Sequence, residues 1–115
     1  MFFHHRERPE RFSVEVEPEG RRVHVMVRGE LDVATAPALE AVLDELTVAG
    51  TQVVLDLRQL RFVDASAVGL LIRAGCAVKR IGADLTLVPS EPVRRMLDIC
   101  SLGDRFTCLD RPPVA

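Results

Sequence analysis

The chain has 115 residues, 48 % hydrophobic and 28 % charged, which is the length of about one domain with enough apolar side chain for one core. Fifteen Lys and Arg against 17 Asp and Glu leave a formal net charge of -2, so no sequence-independent grip on a phosphate backbone is on offer. Disorder, a two-domain enzyme and direct nucleic-acid binding are all disfavoured, and with five Phe as the only aromatic residues there is no platform for stacking bases.

Residues 1–11 mix charge, histidine and Pro9 without periodicity and read as a flexible N-terminal arm. From Phe12, the residues Phe12, Val14 and Val16 alternate with Ser13, Glu15 and Glu17. Pro18-Glu19-Gly20 then supplies turn chemistry, and Val23, Val25 and Val27 alternate again, which predicts a hairpin with one buried face. After Gly29-Glu30-Leu31-Asp32 the period changes to that of a helix carrying Leu39, Val42, Leu43 and Leu46 on one stripe, with Thr35 as the expected N-cap and Pro37 in the first turn. Gly50 closes it, and Val53-Val54-Leu55-Asp56-Leu57 reads as a central strand covered on both faces. Strand, helix and strand in sequence favour a right-handed crossover between parallel strands.

A second helix is expected to open near Ser66, with Val68, Leu71, Ile72, Gly75 and Val78 on its inner stripe and Gly82 at its end. Gly69 and Gly75 cost about 1 kcal/mol each in a helix interior, so they point to close packing. Ala83 to Val88 forms another strand, and Pro89-Ser90-Glu91-Pro92 opens a third helix with Val93, Met96, Leu97 and Cys100 inward. Phe106 to Leu109 can add a short last strand. The pattern is one α/β domain of order ββαβαβαβ over residues 12–110, with 111–115 as a C-terminal tail. Cys76, Cys100 and Cys108 are odd in number, lack C-x-x-C spacing and fall in apolar segments, so they read as core filler. No apolar run approaches the roughly 20 residues that cross a bilayer, and the first residues hold no signal-peptide apolar stretch. A cytoplasmic, reduced setting without membrane insertion is expected.

Chemistry should gather where the parallel strands end, at the connections carrying Asp32, Asp64 to Ser66, and Ser90. This is a poor catalytic kit. Within the folded segment the only histidine, His24, lies in mid-strand, away from Ser66, so a nucleophile and base do not meet. Asp32 with Asp64 could hold only a weakly anchored hard cation, and no phosphate-cradling glycine loop is present, so neither metal nor cofactor is expected. By spacing alone Ser66 reads as a helix cap, and Asp32 and Asp64 as strand terminators bonded to loop amides.

Three motifs add to that reading: Gly29-Glu30-Leu31-Asp32 before the first helix, the strand Val53-Val54-Leu55-Asp56-Leu57, and Phe62-Val63-Asp64-Ala65-Ser66-Ala67-Val68-Gly69 after it. With Pro92-Val93-Arg94-Arg95-Met96-Leu97 and the Gly103 turn, they resemble the STAS domain family in its free-standing bacterial form, over roughly residues 12 to 109. The resemblance implies a mixed sheet with helices mainly on one face, and a non-enzymatic anti-sigma factor antagonist. In that role the unphosphorylated form binds an anti-sigma factor that is also a serine kinase, releasing a sigma factor. Phosphorylation of Ser66 ends the binding, and a phosphoserine phosphatase would reset it. The surface implied for the partner comprises Gly29, Glu30, Asp32, Asp64, Ser66, Ala67, Val68, Gly69 and Leu71. The usual family pattern is Asp-Ser-Ser-Gly-Leu-Gly; here Ala65 removes an alternative acceptor, and Ala67 adds a Cβ where the family has glycine. Two other roles remain open at this point: a subunit of a membrane lipid ABC transporter with Ser66 only a cap, and a nucleotide-binding module.

Overall fold

The computed structural model describes residues 3–8 and 12–114, with side chains for the latter span. The predicted hairpin is β2 (Phe12–Glu19) with β3 (Arg22–Leu31). Val14 faces Val27 and Val16 faces Val25 across it, and Gly20 takes the tight turn at φ +63°. A left-handed φ costs glycine nothing and any residue with a Cβ a good deal. β4 (Gln52–Val63) lies parallel to β3, β5 (Asp84–Val88) parallel to β4, and the two-residue β6 (Thr107–Cys108) parallel to β5.

One strand was not in the sequence pattern. Phe3–Arg8 forms β1, antiparallel to β2, so the sheet has six strands in the order β1-β2-β3-β4-β5-β6 and the chain reads βββαβαβαβ. The expected flexible arm is corrected for these residues; 1, 2 and 9–11 lie outside the described residues. An edge strand needs only backbone N–H and C=O groups to extend a ladder, so side-chain alternation is a poor guide to it.

α1 (Ala36–Leu46), α2 (Ala65–Ile81) and α3 (Glu91–Ile99) pack into one core with Val14, Val25, Val27, Leu55, Leu57 and Leu87 of the sheet. This places all three helices on one face, as expected. The α1 stripe holds, with Leu39, Val42 and Leu43 buried and Leu46 partly so. On α2 the inner face is rotated from the expected one: Ala67, Leu70, Leu71 and Val78 are buried, while Val68 and Ile72 only flank the core. Small residues such as Ala67 permit helix-to-sheet approach without announcing themselves as apolar. The cysteines are also corrected. Cys76 and Cys100 are exposed and Cys108 is half-buried, its thiol pushed up in pKa by burial.

On the opposite face, Val54 and Val88 are fully buried and Asp56 nearly so. The last residues account for part of this cover: Pro112, Pro113 and Val114 lie beside Met26 and Asp56, and Arg22 Nη1 donates to the Val114 carbonyl at 3.3 Å. Asp56 takes a bidentate pair from Arg58 (3.0 and 2.8 Å) and the Arg58 backbone N–H at 3.1 Å, which satisfies the carboxylate inside the sheet.

Candidate functional site

β3 and β4 run on well beyond β5. Asp56 is level with Val88 at the end of β5, whereas β4 continues to Val63 beside Leu31. At about 3.3 Å per residue the extension is on the order of 15 Å, allowing for the two register breaks. The extended pair carries the loops of Asp32 and Asp64 away from Ser90, which does not join them. Ser90 is buried and caps α3 by accepting the Val93 N–H at 3.5 Å.

The register breaks between Met26 and Arg28 and between Gly29 and Glu30 give β4 extra residues there and bend the pair. Gly29, at φ +100° and buried opposite Phe12, is the residue that permits this bend. Gly29 therefore shapes the edge without presenting surface. Glu30 contributes its carbonyl, which accepts the Thr35 hydroxyl at 2.9 Å.

The loop after β3 is closed by Asp32 and Thr35. Asp32 Oδ1 accepts the N–H groups of Ala34 (3.0 Å) and Thr35 (3.1 Å), and the Asp32 N–H donates to Thr35 Oγ1 at 2.9 Å. Thr35 holds the expected N-cap position of α1, but its hydroxyl makes no capping bond; it is turned back into this loop. Short polar side chains that bond nearby backbone groups are a common way to fix such a turn.

The cap of α2 is Asp64, not Ser66. Its Oδ1 accepts the Ser66 N–H at 2.9 Å and also the Ser66 hydroxyl, and its carboxylate takes the backbone N–H of Val33 as well. Asp64 N–H donates to the Leu31 carbonyl at 3.2 Å, so one residue ties β3, the loop after it and the first turn of α2 together. The Ser66 hydroxyl above all, with the N–H groups of Ser66 and Val33, holds the Asp64 carboxyl below its ordinary pKa against the raising effect of desolvation. Aspartate caps helices as well as serine does, and from sequence two candidates separated only by Ala65 were hard to rank.

Ser66 thus sits inside the first helical turn, partly exposed, with no capping duty. The residues around it divide sharply. Ala67 and Leu71 are each 1 % exposed and belong to the core, so neither can touch a partner in the folded domain. The Ala67 methyl points into the core and does not block approach to Ser66. Val68 and Gly69 are partly exposed, and the Arg73 side chain lies over Gly69, where a Cβ would come 3.1 Å from Nη1. Arg73 in turn holds Glu40 of α1 through a bidentate pair at 2.6 and 2.9 Å.

Two surface residues of this edge were missed. Val33 is 75 % exposed and Phe62 49 % exposed, and they flank Asp64 through its bond to the Val33 N–H and through the chain itself. The signal for Val33 was a β-branched residue inside a polar turn. Phe62 was hidden because the β4 register breaks switch which alternate residues face outward.

The geometry offers a hydroxyl, two carboxylates and exposed apolar side chains on a rigid strand edge, a surface suited to recognition. An anti-sigma-B factor antagonist of Bacillus subtilis is 30 % identical over 93 residues, covering 80 % of this chain and 85 % of that protein. A crystal structure of an anti-sigma factor antagonist from Mycobacterium paratuberculosis superposes with a TM-score of 0.74 at 23 % identity, covering 90 % of each chain. The Bacillus cell fate determinant SpoIIAA in its phosphorylated form superposes with a TM-score of 0.64 at 23 % identity, covering 84 % of this chain and 90 % of that one. The family model of the STAS domain matches residues 13–112, which takes in the sheet from β2 to β6, all three helices and the Ser66 edge, and the chain belongs to that family.

Proposed function

We propose that this protein is an anti-sigma factor antagonist, a cytoplasmic regulator and not an enzyme. Unphosphorylated, it binds an anti-sigma factor with serine-kinase activity and releases a sigma factor; phosphorylation of Ser66 switches it off, and a phosphoserine phosphatase restores it. The relationship to the antagonist of Bacillus subtilis supports the first part of this reading. The observation that carries the switch is that Ser66 is partly exposed and free of capping duty, its hydroxyl donating to Asp64, beside the exposed Val33 and Phe62. In this reading the partner surface comprises Glu30, Asp32, Val33, Phe62, Asp64, Ser66, Val68 and Gly69. No helix among the described residues is long and apolar enough to cross a membrane, and the recognition surface is carried by loops and a helix start.

A phosphoserine adds about -1.5 to -2 charge next to Asp64. An acidic group on the partner about 5 Å away would be repelled by roughly 3 kcal/mol per unit charge at an effective dielectric near 20, which weakens binding about a hundredfold. The test is calorimetric titration with an anti-sigma factor that has serine-kinase activity, together with phosphopeptide mass spectrometry. Cleavage after Arg61 and Arg73 yields residues 62–73, whose only hydroxyl is Ser66. Phosphate on that peptide, wild-type affinity for Ser66→Ala and about hundredfold weaker binding for Ser66→Asp are expected. Equal binding by all three forms would sink the switch.

A further inference from the structure

A cleft of about 380 Å³ between α2 and the 3-10 turn after α3 (Gly103–Arg105) takes no part in the proposed function. It begins one to two turns from Ser66 along α2 and extends away from it, roughly 9 to 20 Å down the helix at 1.5 Å per residue. Ile72, Gly75, Cys76 and Lys79 follow one another on a single helical stripe and form one wall. Phe106 forms the other, and Gly75 is what brings it near: a Cβ there would lie 3.3 Å from Phe106 Cε1.

The cleft carries an excess of positive charge. Lys79 and Arg105 line it with a single carboxylate, Asp104, between them in number. Among the described residues neither Lys79 nor Arg105 makes an ion pair, and both line this one cleft. An apolar wall beside excess positive charge, in a volume within the range of about 300–1,000 Å³ typical of small-molecule sites, has one complementary chemistry.

We propose that this cleft binds an amphipathic organic anion, an apolar ring or short chain bearing one carboxylate or sulfonate. The apolar body covers Ile72 and Phe106, and the head lies between Lys79 and Arg105. The probe is 1-anilinonaphthalene-8-sulfonate, titrated into the full chain by fluorescence, with Cys76 as reporter. Cleavage after Arg73 and Lys79 isolates Cys76 in residues 74–79, so its alkylation by iodoacetamide is read separately from that of Cys100.

Saturable binding at one site, slowed alkylation of Cys76 and unchanged alkylation of Cys100 are expected. The Lys79→Gln/Arg105→Gln double variant, which alters only exposed side chains, should bind about tenfold more weakly. Cys76→Phe, which fills the cleft from an exposed position, should abolish binding with both charges in place. Absence of saturable binding, equal affinity in the double variant, or binding that leaves Cys76 unprotected would each overturn the proposal. None of these results depends on whether Ser66 is phosphorylated.

Discussion

Replacing Asp64 and Ser66 separately by alanine distinguishes the helix cap from the proposed acceptor. Asp64→Ala removes the acceptor for the Ser66 N–H at 2.9 Å, for the Ser66 hydroxyl and for the Val33 N–H. Loss of an Asp cap costs about 0.5–2 kcal/mol, and loss of a carboxylate at a helix N-terminus overlaps with that figure and adds a few tenths. A total of about 2 kcal/mol follows. Ser66→Ala removes one bond whose acceptor keeps its two N–H donors, at a partly exposed position where no buried group is left unpaired. Alanine also has the better helix propensity, so the net cost should be about 0.5 kcal/mol or less.

Urea denaturation followed by far-ultraviolet circular dichroism measures both, with the slope m held constant as the check that only stability has changed. For a domain of this size about 1 kcal/mol corresponds to roughly 4 °C, so Asp64→Ala should melt about 8 °C below wild type and Ser66→Ala within about 2 °C of it. A loss for Ser66→Ala equal to or larger than that for Asp64→Ala would refute the assignment of the cap, and with it the claim that Ser66 is free of structural duty.

The depressed carboxyls of Asp64 and Glu40 stabilise the fold above the ordinary carboxylate range, near pH 4, and that stability is lost as pH falls below it toward their folded values. Urea midpoints from pH 7 to 3 should therefore fall less steeply for Asp64→Asn than for wild type. Gly29→Ala forces a Cβ into φ +100° at a buried position and should cost about 1–3 kcal/mol by the same assay. Arg58→Ala deprives the nearly buried Asp56 of its bidentate partner but leaves it the backbone N–H, so a loss of about 1–3 kcal/mol in the same urea assay is expected. Val33→Ser should leave the melting temperature within about 2 °C, because Val33 is 75 % exposed, whereas Phe62→Ser removes a half-buried ring and should lower it by about 3–6 °C. Each should weaken titrated binding of the anti-sigma kinase about tenfold or more, as loss of an apolar interface anchor does.

What was legible in the sequence follows from how each element is encoded. Alternation in β2 and β3 and the Leu39-Val42-Leu43 stripe of α1 record burial directly, because one face of each element meets the core and the other does not. The parallel pairing of β3 with β4 followed from the helix between them. β4 was recognised only as far as Leu57, since its continuation to Val63 passes through register breaks and exposed Arg58 and Gln59 that look like a loop. Cys76 and Cys100 were misplaced because a thiol in an apolar-looking helix carries no mark of which side it faces. At the edge, residue types marked the right place and not the division of labour. Among the partner residues suggested by resemblance, Gly29, Ala67 and Leu71 prove to be buried.

That division of labour bears on how a charge switch can work without remodelling the domain. A phosphate on Ser66 would enter at a helix N-terminus, where the helix dipole favours an anion. It would not displace the cap, which belongs to Asp64, and it would not disturb the core, into which Ala67 and Leu71 already point. The cost of bringing the phosphate near Asp64 is moderated because both groups face solvent in part. The cost to a partner pressed against Val33 and Phe62 is not, since docking strips that water away and lowers the local dielectric. In the proposed switch, a residue in the second position of its helix, with the cap assigned to Asp64, would direct the energy of modification to the interface rather than to the fold.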